Sequence, residues 1–412
     1  MMLLNRHIIV GICGGIASYK AVDLVSKLQQ AGALVDVIMT EEAGEFVRPL
    51  TFATMSHRPV YSDLWEPSGK AAETHIALAE TAEVLAVVPA TANTIAKLAC
   101  GLTDNMLTAV ALATKAPLLL APAMYKEMYA HPATQANLAL LRERGATIVE
   151  PEVGRLASGA VGPGRLPSTE TLLGAINMVL GRTGDLAGRR VIVTAGGTQE
   201  PLDPVRYLGN RSSGKMGYAL AAEARDRGAD VILLSGPVAL TPPYGVELHQ
   251  VQTAMQMHAA VQRFIPTADA LIMSAAVADF RPASQAAQKI KKQRTVDGED
   301  GFSLRLIANP DILGELAQTL DEPRGKGQRL VRVGFAAETE AVEANAREKL
   351  RRKRLDLLVA NDVSRTDSGF GTETNKVLIF HADGAVEDLP VMPKTGVAAA
   401  IWDRVVPLLS TA

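Results

Sequence analysis

Residues 194–217 read TAGGTQEPLDPVRYLGNRSSGKMG, a dense run of the residue types that hold phosphate. Gly196, Gly197 and Thr198 follow the apolar residues 191–193 and can line a cradle with backbone N–H groups. Arg206, Asn210, Arg211, Ser212, Ser213 and Lys215 then add cations, an amide and hydroxyls before a helical pattern begins at Tyr218. Connections between elements usually take about 2–6 residues, so so long a polar stretch needs a reason beyond linkage. The chemistry indicated is the handling of anions.

The first half carries two weaker signals of the same kind. GICGGIASYK sets Gly11, Gly14 and Gly15 after the first strand, as a phosphate cradle or as a plain strand-to-helix turn. Its spacing is not G-x-G-x-x-G, and Met39, Thr40 and Glu41 do not end the second strand as a ribose-binding acid would. That argues against a nicotinamide-dependent dehydrogenase. PATANTIAKLACGLTDNML offers Thr91, Asn93 and Thr94, as ligand donors or as an N-cap cluster.

Further candidates lie downstream. In SAAVADF, Ala275 and Ala276 are small enough for a base or ribose to lie against backbone, and Asp279 can accept from hydroxyl or amino groups. Lys289, Lys291 and Lys292 form a KIKK cluster, which is either solvated charge or a polyanion contact. Asn309, Pro310 and Asp311 make a turn before a helix, with Asp311 as a candidate N-cap. Lys349 and Lys353 are four apart on a helical pattern and share a face, suited to a triphosphate or to an exposed basic stripe.

The hydrophobic pattern supplies the frame for these residues. Strands are expected at His7–Ile12, Leu34–Met39, 84–88, 117–121 and 147–149, with helices over Ser18–Gln30, 92–113, 132–144 and 172–180. Residues 181–188 (GRTGDLAG) form a glycine-rich break. Strands resume at 190–194, 231–234, 270–274, 331–335 and 355–360, with helices after Ser213 and over 340–354, and a polar loop or hairpin over 284–301. Such alternation predicts an α/β chain of two doubly wound domains, over 1–188 and 189–412. The first is expected to be flavodoxin-like or Rossmann-like, the second Rossmann-like.

Composition narrows the class. With 42 basic and 44 acidic residues the net charge is −2, which implies no bulk attraction to nucleic acid or anionic membrane. Two cysteines, Cys13 and Cys100, are too few for a disulfide framework and point to a reducing compartment. No apolar run approaches the roughly 18–20 residues of a membrane span. Arg6 and His7 interrupt the apolar start, which reads as a first strand rather than a signal peptide. A cytoplasmic protein is expected.

With GICGGIASYK, ETHIALAE around His75, PATANTIAKLACGLTDNML and APAMYKEMYAHPATQANL, nearly all of residues 1–180 resembles the homo-oligomeric flavin-containing cysteine decarboxylases. The resemblance implies FMN held by Gly14, Gly15, Ile16, Thr40, Thr91, Ala92, Asn93, Thr94 and Ala123, and His75 as catalytic base. It implies a flavin that oxidises the substrate thiol to a thioaldehyde, so that CO2 can leave, and then returns hydride to the ene-thiolate. Two positions depart from the family. Tyr125 stands where an asparagine commonly grips the substrate carboxylate, and Ser158 where a cysteine commonly protonates the ene-thiolate. Serine is a far weaker acid than cysteine, whose reference pKa is about 8.5. Another acid or a water is therefore expected to supply the proton. The alternatives are decarboxylation with poor reduction, or an FMN-binding assembly or regulatory module without activity.

TAGGTQEPLDPVRYLGNRSSGKMG, SAAVADFRP, KIKK, NPDI, VGFAAET and LDLLVANDVS, spanning about residues 188–380, resemble phosphopantothenate–cysteine ligase. In bacteria that ligase is commonly fused behind the flavin decarboxylase in this order, which implies a bifunctional enzyme of coenzyme A biosynthesis. The implied ligation uses CTP and Mg2+. The carboxylate of 4′-phosphopantothenate attacks the α-phosphorus, and the amine of cysteine then displaces CMP from the acyl-cytidylate. Ala275, Ala276, Asp279, Lys289, Asn309, Pro310, Asp311, Ile312, Phe335, Lys349 and Lys353 are implied CTP contacts. Asn210 is assigned to the acyl-cytidylate step, and Arg206 is a candidate for the substrate phosphate or carboxylate. The resemblance also implies a homo-oligomer, with trimers through the flavin domain, dimers through the ligase domain and a dodecamer overall. No metal ligands can be named from sequence.

Overall fold

The computed structural model describes residues 2–65, 71–291, 293–294, 300–301, 303–318, 329–338, 342–362 and 371–410. The chain divides into two units, Met1–Arg182 and Thr183–Ala412.

The first unit runs β1 (His7–Ile12), α1 (Ser18–Gln30), β2 (Leu34–Met39), α2 (Pro49–Ser56), β3 (Val60–Tyr61), α3 (Ala71–Thr81), β4 (Val84–Ala90), α4 (Ala92–Cys100), α5 (Met106–Ala113), β5 (Leu118–Pro122), α6 (Lys126–Ala130), α7 (Pro132–Glu143), β6 (Thr147–Ile148), β7 (Glu152–Arg155), β8 (Val161–Arg165) and α8 (Thr169–Leu180). Six strands form one sheet in the order β3-β2-β1-β4-β5-β6, and all its pairs are parallel. β1 reads as a nearly continuous apolar run because helices cover both faces of such a sheet. Helix α1 buries Ala21, Leu24, Val25 and Leu28, the spacing of one helical face.

The second unit runs β9 (Arg190–Ala195), β10 (Gln199–Pro201), β11 (Tyr207–Gly209), α9 (Lys215–Asp226), β12 (Asp230–Ser235), β13 (Glu247–Gln250), α10 (Ala254–Phe264), β14 (Ala270–Met273), β15 (Phe280–Pro282), β16 (Gln293–Arg294), β17 (Asp300–Gly301), β18 (Leu306–Ala308), α11 (Ile312–Gln318), β19 (Val331–Glu338), α12 (Val342–Arg352), β20 (Leu357–Asp362), β21 (Thr374–Asn375), β22 (Val377–His381), β23 (Val386–Asp388), β24 (Met392–Pro393) and α13 (Lys394–Ser410). Its main sheet has eight strands in the order β13-β12-β9-β14-β19-β20-β22-β23. The first six are parallel, while β22 and β23 add an antiparallel edge. Alternate residues serve opposite faces. Val191 and Val193 pack with Leu220 of α9 and Trp402 of α13. Ile192 packs with Met257 of α10, Leu313 of α11 and Leu350 of α12.

The two doubly wound parallel sheets are those expected. The differences are local and have physical causes. The helix expected over 92–113 is two helices, because Gly101 ends α4 in the left-handed region at φ 74° and Asn105 opens α5 with a capping box to Thr108. The polar loop after β9 contains the antiparallel pair β10–β11. The pair β7–β8 was not expected, nor were the β22–β23 edge and helices α10 and α13. Leu186 is fully buried in the second core, so residues 183–188 of the expected linker go with the second unit. In the 284–301 stretch, β16 and β17 pair antiparallel. Lys292 and Glu340 lie outside the described residues. Among the described residues no helix is long and apolar enough to cross a membrane.

In both sheets the winding reverses beside the first strand, between β1 and β4 and between β9 and β14. Ligands of open α/β sheets bind at the carboxyl ends of the strands at such a point.

Trp402 is fully buried, and its indole N–H donates to the Leu220 carbonyl at 2.9 Å, joining α13 to α9. Trp402→Ala is expected to cost about 3–5 kcal/mol. Chemical denaturation of the intact chain followed by circular dichroism checks this, and a loss below about 1 kcal/mol would show that the site refills by collapse.

Candidate functional site

The first unit holds a 710 Å³ cavity at its winding reversal, within the usual range of about 300–1,000 Å³ for ligand pockets. Gly14, Gly15 and Ile16 reach it from the turn after β1, Thr40 from the end of β2, Thr91, Ala92, Asn93 and Thr94 from the start of α4, and Ala123 from the end of β5. All nine expected cofactor residues thus line one cavity. The Thr91 hydroxyl caps α4 by accepting from the Thr94 N–H at 3.3 Å, which is the N-cap reading of that cluster. Helices α1 and α4 both begin beside the cavity, and their N-termini favour an anion.

The walls fit a flavin phosphate. A Cβ on Gly14 would stand 2.4 Å from the Glu42 Cβ, so only glycine lets the two loops approach. A Cβ on Gly15 would meet nothing closer than Thr91 at 3.9 Å, leaving room on the cavity side. The Thr40 hydroxyl oxygen is buried with no partner, an acceptor and donor awaiting a ligand. Burial pushes the Cys13 thiol up to about 11, so it is inert.

Tyr125 and Ser158 line the same cavity. Tyr125 precedes α6 and is 41% exposed. Ser158 is exposed at the turn of the β7–β8 hairpin. That hairpin is docked by the Met124 N–H donating to the Gly164 carbonyl at 3.1 Å. His75 sits half-buried on α3 and does not line its own unit's cavity. Lys20, Glu42, Arg155 and Arg165 line the cavity and escaped the sequence reading. The two arginines lie in or beside a hairpin whose exposed Val153 and Val161 give no core-facing alternation.

The second unit holds two cavities near the turn 275–279 after β14, which lines the first and is bonded by Asn210 of the second. One, of 470 Å³, is lined by Ala275 and Asp279, by Asn309, Pro310, Asp311 and Ile312, by Phe335 of β19, and by Lys349 and Lys353. Asp311 caps α11 by accepting from the Gly314 N–H at 3.1 Å and pairs with the Lys353 ammonium at 2.7 Å. Burial alone would raise the Asp311 carboxyl, but Lys353 and the capping N–H hold it below the usual carboxylate range. The Lys349 ammonium donates to the Phe335 carbonyl at 3.0 Å. Asn345, Glu348 and Arg352 line the cleft from the same helix; Asn345 stands four before Lys349 and Arg352 three after it, a spacing that could have found those two.

The other cavity, of 550 Å³, is lined by Gly197, Gln199, Tyr207, Gly209, Asn210, Arg211, Ser212, Ser213, Pro237 and Gly371. A Cβ on Gly197 would stand 2.8 Å from the Asn210 carbonyl oxygen, which explains the glycine. The Asn210 carboxamide donates to the carbonyls of Ala276 and Val277, both at 3.3 Å. From the far side the Asn309 carboxamide donates to the Ala278 carbonyl at 2.8 Å. Ala276 does not line the first cleft. Its N–H donates to the Gly196 carbonyl at 2.8 Å, which fixes it in the wall between the cavities.

Two expected substrate contacts lie outside these cavities. The Arg206 guanidinium pairs with Asp203 and donates to the Ile290 carbonyl at 2.8 Å, and it lines none of these cavities. This pairing holds the Asp203 carboxyl well below the usual carboxylate range. Lys289 is exposed beside Ile290 and does not line the 470 Å³ cleft. Lys215 does not line the Asn210 cavity either; its ammonium donates to the carbonyl of Gly371, which does, and pairs with Glu373.

Known proteins carry the same pairing of units. Residues 1–181 match the flavoprotein family model, and residues 186–408 match that of the DNA/pantothenate metabolism flavoprotein C-terminal domain. The coenzyme A biosynthesis bifunctional protein CoaBC of Bacillus subtilis (strain 168) is 46% identical over 410 residues, 99% of this chain and 98% of that protein. Its namesake from Escherichia coli (strain K12) is 42% identical over 406 residues, 98% of each. A solved C-terminal domain of a coenzyme A biosynthesis bifunctional protein CoaBC is 38% identical, with a TM-score of 0.46, covering 56% of this chain and all of that one. With both units matched in order and over nearly their whole length, the chain belongs to the bifunctional CoaBC family of coenzyme A biosynthesis, which joins a phosphopantothenoylcysteine decarboxylase to a phosphopantothenate–cysteine ligase.

Proposed function

We propose that the second unit joins 4′-phosphopantothenate to cysteine at the turn 275–279, with CTP in the 470 Å³ cleft and the acid in the 550 Å³ cavity. The observation that carries this is the pair of carboxamides, Asn210 and Asn309, bonded to one turn from opposite sides. Base and ribose lie along Ala275, Phe335 and Asp279. Lys349 and Lys353 face the triphosphate and offset the charge that builds on it. Among the described residues no group of three His, Cys, Asp or Glu could hold a metal. Mg2+ would arrive with the triphosphate and supply positive charge beside its oxygens. Beside the turn a carboxylate oxygen attacks the α-phosphorus and pyrophosphate leaves. Asn210 holds the acyl-cytidylate while the cysteine amine attacks the acyl carbon, loses its proton and expels CMP.

The product is the substrate of the first unit. There Gly14, Gly15 and the starts of α1 and α4 hold the FMN phosphate, with Thr40 supplying its unpartnered hydroxyl. When bound, FMN takes hydride from the carbon bearing the thiol and later returns it. His75 accepts the thiol proton, and Tyr125 meets the carboxylate end of the substrate. His75 is absent from its own cavity, which supports a homo-oligomer in which it serves a neighbouring copy. Ile76 and Leu112, 41% and 65% exposed, offer an apolar face for that contact.

In ligation assays, Asn210→Asp is expected to accumulate acyl-cytidylate without amide, and normal turnover in that variant would end the assignment. Supplied with 4′-phosphopantothenoylcysteine, the wild type should release CO2 at least about a hundredfold faster than His75→Asn. Equal rates would leave the first unit as a flavin-binding module. Ser158→Ala should change the rate of reduced-product formation by less than about threefold, since a serine hydroxyl is too weak an acid to be the proton source. A loss of tenfold or more would make Ser158 the donor.

A further inference from the structure

Beside the Asn210 cavity lies another of 440 Å³, lined by Tyr218, Leu240, Glu373 and two lysines. Lys215 is the first residue of α9 and Lys394 the first of α13. A cation at a helix start works against the helix dipole. Lys394 is also only 7% exposed, and burial, with Lys215 as a second cause, pulls its pKa down. Two cations so placed need offsetting contacts, and both find them on one short segment.

The Lys215 ammonium donates to the Gly371 carbonyl at 3.1 Å and pairs with the Glu373 carboxylate. The Lys394 ammonium donates to the carbonyls of Thr372 and Thr374, the latter at 3.2 Å. The Lys394 N–H donates to the Glu373 carbonyl at 3.0 Å. Residues 371–374 are thus tied at each position to one helix start or the other. Gly371, at the end of this segment, lines the Asn210 cavity.

We propose that Lys215 and Lys394 are positioning residues of the ligase unit: they hold Gly371 at the rim of the acid-substrate cavity and so set the affinity for 4′-phosphopantothenate without touching it. This rests on the reading that the 550 Å³ cavity takes that substrate. Lys215 therefore serves the anion site through the backbone of another segment and not as a direct phosphate ligand.

The test is steady-state ligation by the full-length protein carrying Lys215→Met or Lys394→Met. KM for 4′-phosphopantothenate should rise about tenfold while KM for CTP stays within about twofold. Amide hydrogen exchange at residues 371–374 should quicken in the same variants. Lys215→Arg, which can still span to Gly371 and Glu373, should restore most of the affinity. Quickened exchange with an unchanged KM, or equal rises in both KM values, would overturn the proposal. If Lys394→Met does not fold, Lys215→Met, whose side chain is 28% exposed, carries the test alone. Ser212→Ala separates the two readings. If it too leaves KM for 4′-phosphopantothenate unchanged, the cavity assignment falls. If it raises KM while the lysine variants do not, only the role of the lysines falls.

Discussion

A carboxylate and a triphosphate repel each other, and the ligase chemistry requires them to come within bonding distance. The second unit meets this constraint with one turn of backbone. The turn 275–279 lines one cavity and is bonded by Asn210 of the other, and the carbonyls of Ala276, Val277, Ala278 and Asp279 are taken up by side-chain amides and backbone donors. A turn whose acceptors are occupied adds little unpaired negative charge between two anions. Lys349, Arg352 and Lys353, on α12 and just beyond it, line the 470 Å³ cleft, where they would offset the charge of a triphosphate. The sheet makes this possible because β9 and β14 are neighbours whose following loops diverge at the winding reversal.

The first unit uses the same architecture for a different task. Its cavity has more apolar lining and the starts of two helices, as suits a planar cofactor with one phosphate. A parallel sheet with the same strand order thus offers either two polar cavities or one larger one. What differs is the loops, not the frame.

The elements that hold these sites were legible where burial imposes a period. β1, α1 and β2 begin and end at the expected residues because each packs one apolar face or run against a layer. The 92–113 region was misread as one helix although Gly101 and Asn105 were visible, since its apolar residues continue on both sides of the break. The β22–β23 edge and the β7–β8 hairpin escaped because short edge strands carry little apolar alternation. Among site residues, glycines and small residues were readable from the close approaches they permit. Long cations were readable on a helix, where Lys349 and Lys353 share a face and line one cleft, but not in loops. Arg206 and Lys215 have the composition of phosphate ligands, but each spends its donors on backbone brought near by tertiary folding, which local spacing does not encode.

The replacement at Ser158 has a further consequence. Neither cysteine of the chain lines the flavin cavity: Cys13 is sealed in the core, and Cys100 lies at the other end of α4. Within that cavity, the only sulfur that can be oxidised to a thiocarbonyl or captured by an electrophile as a thiolate is the one that arrives with the substrate. With a serine at position 158, the lining holds no thiol on which that chemistry could turn.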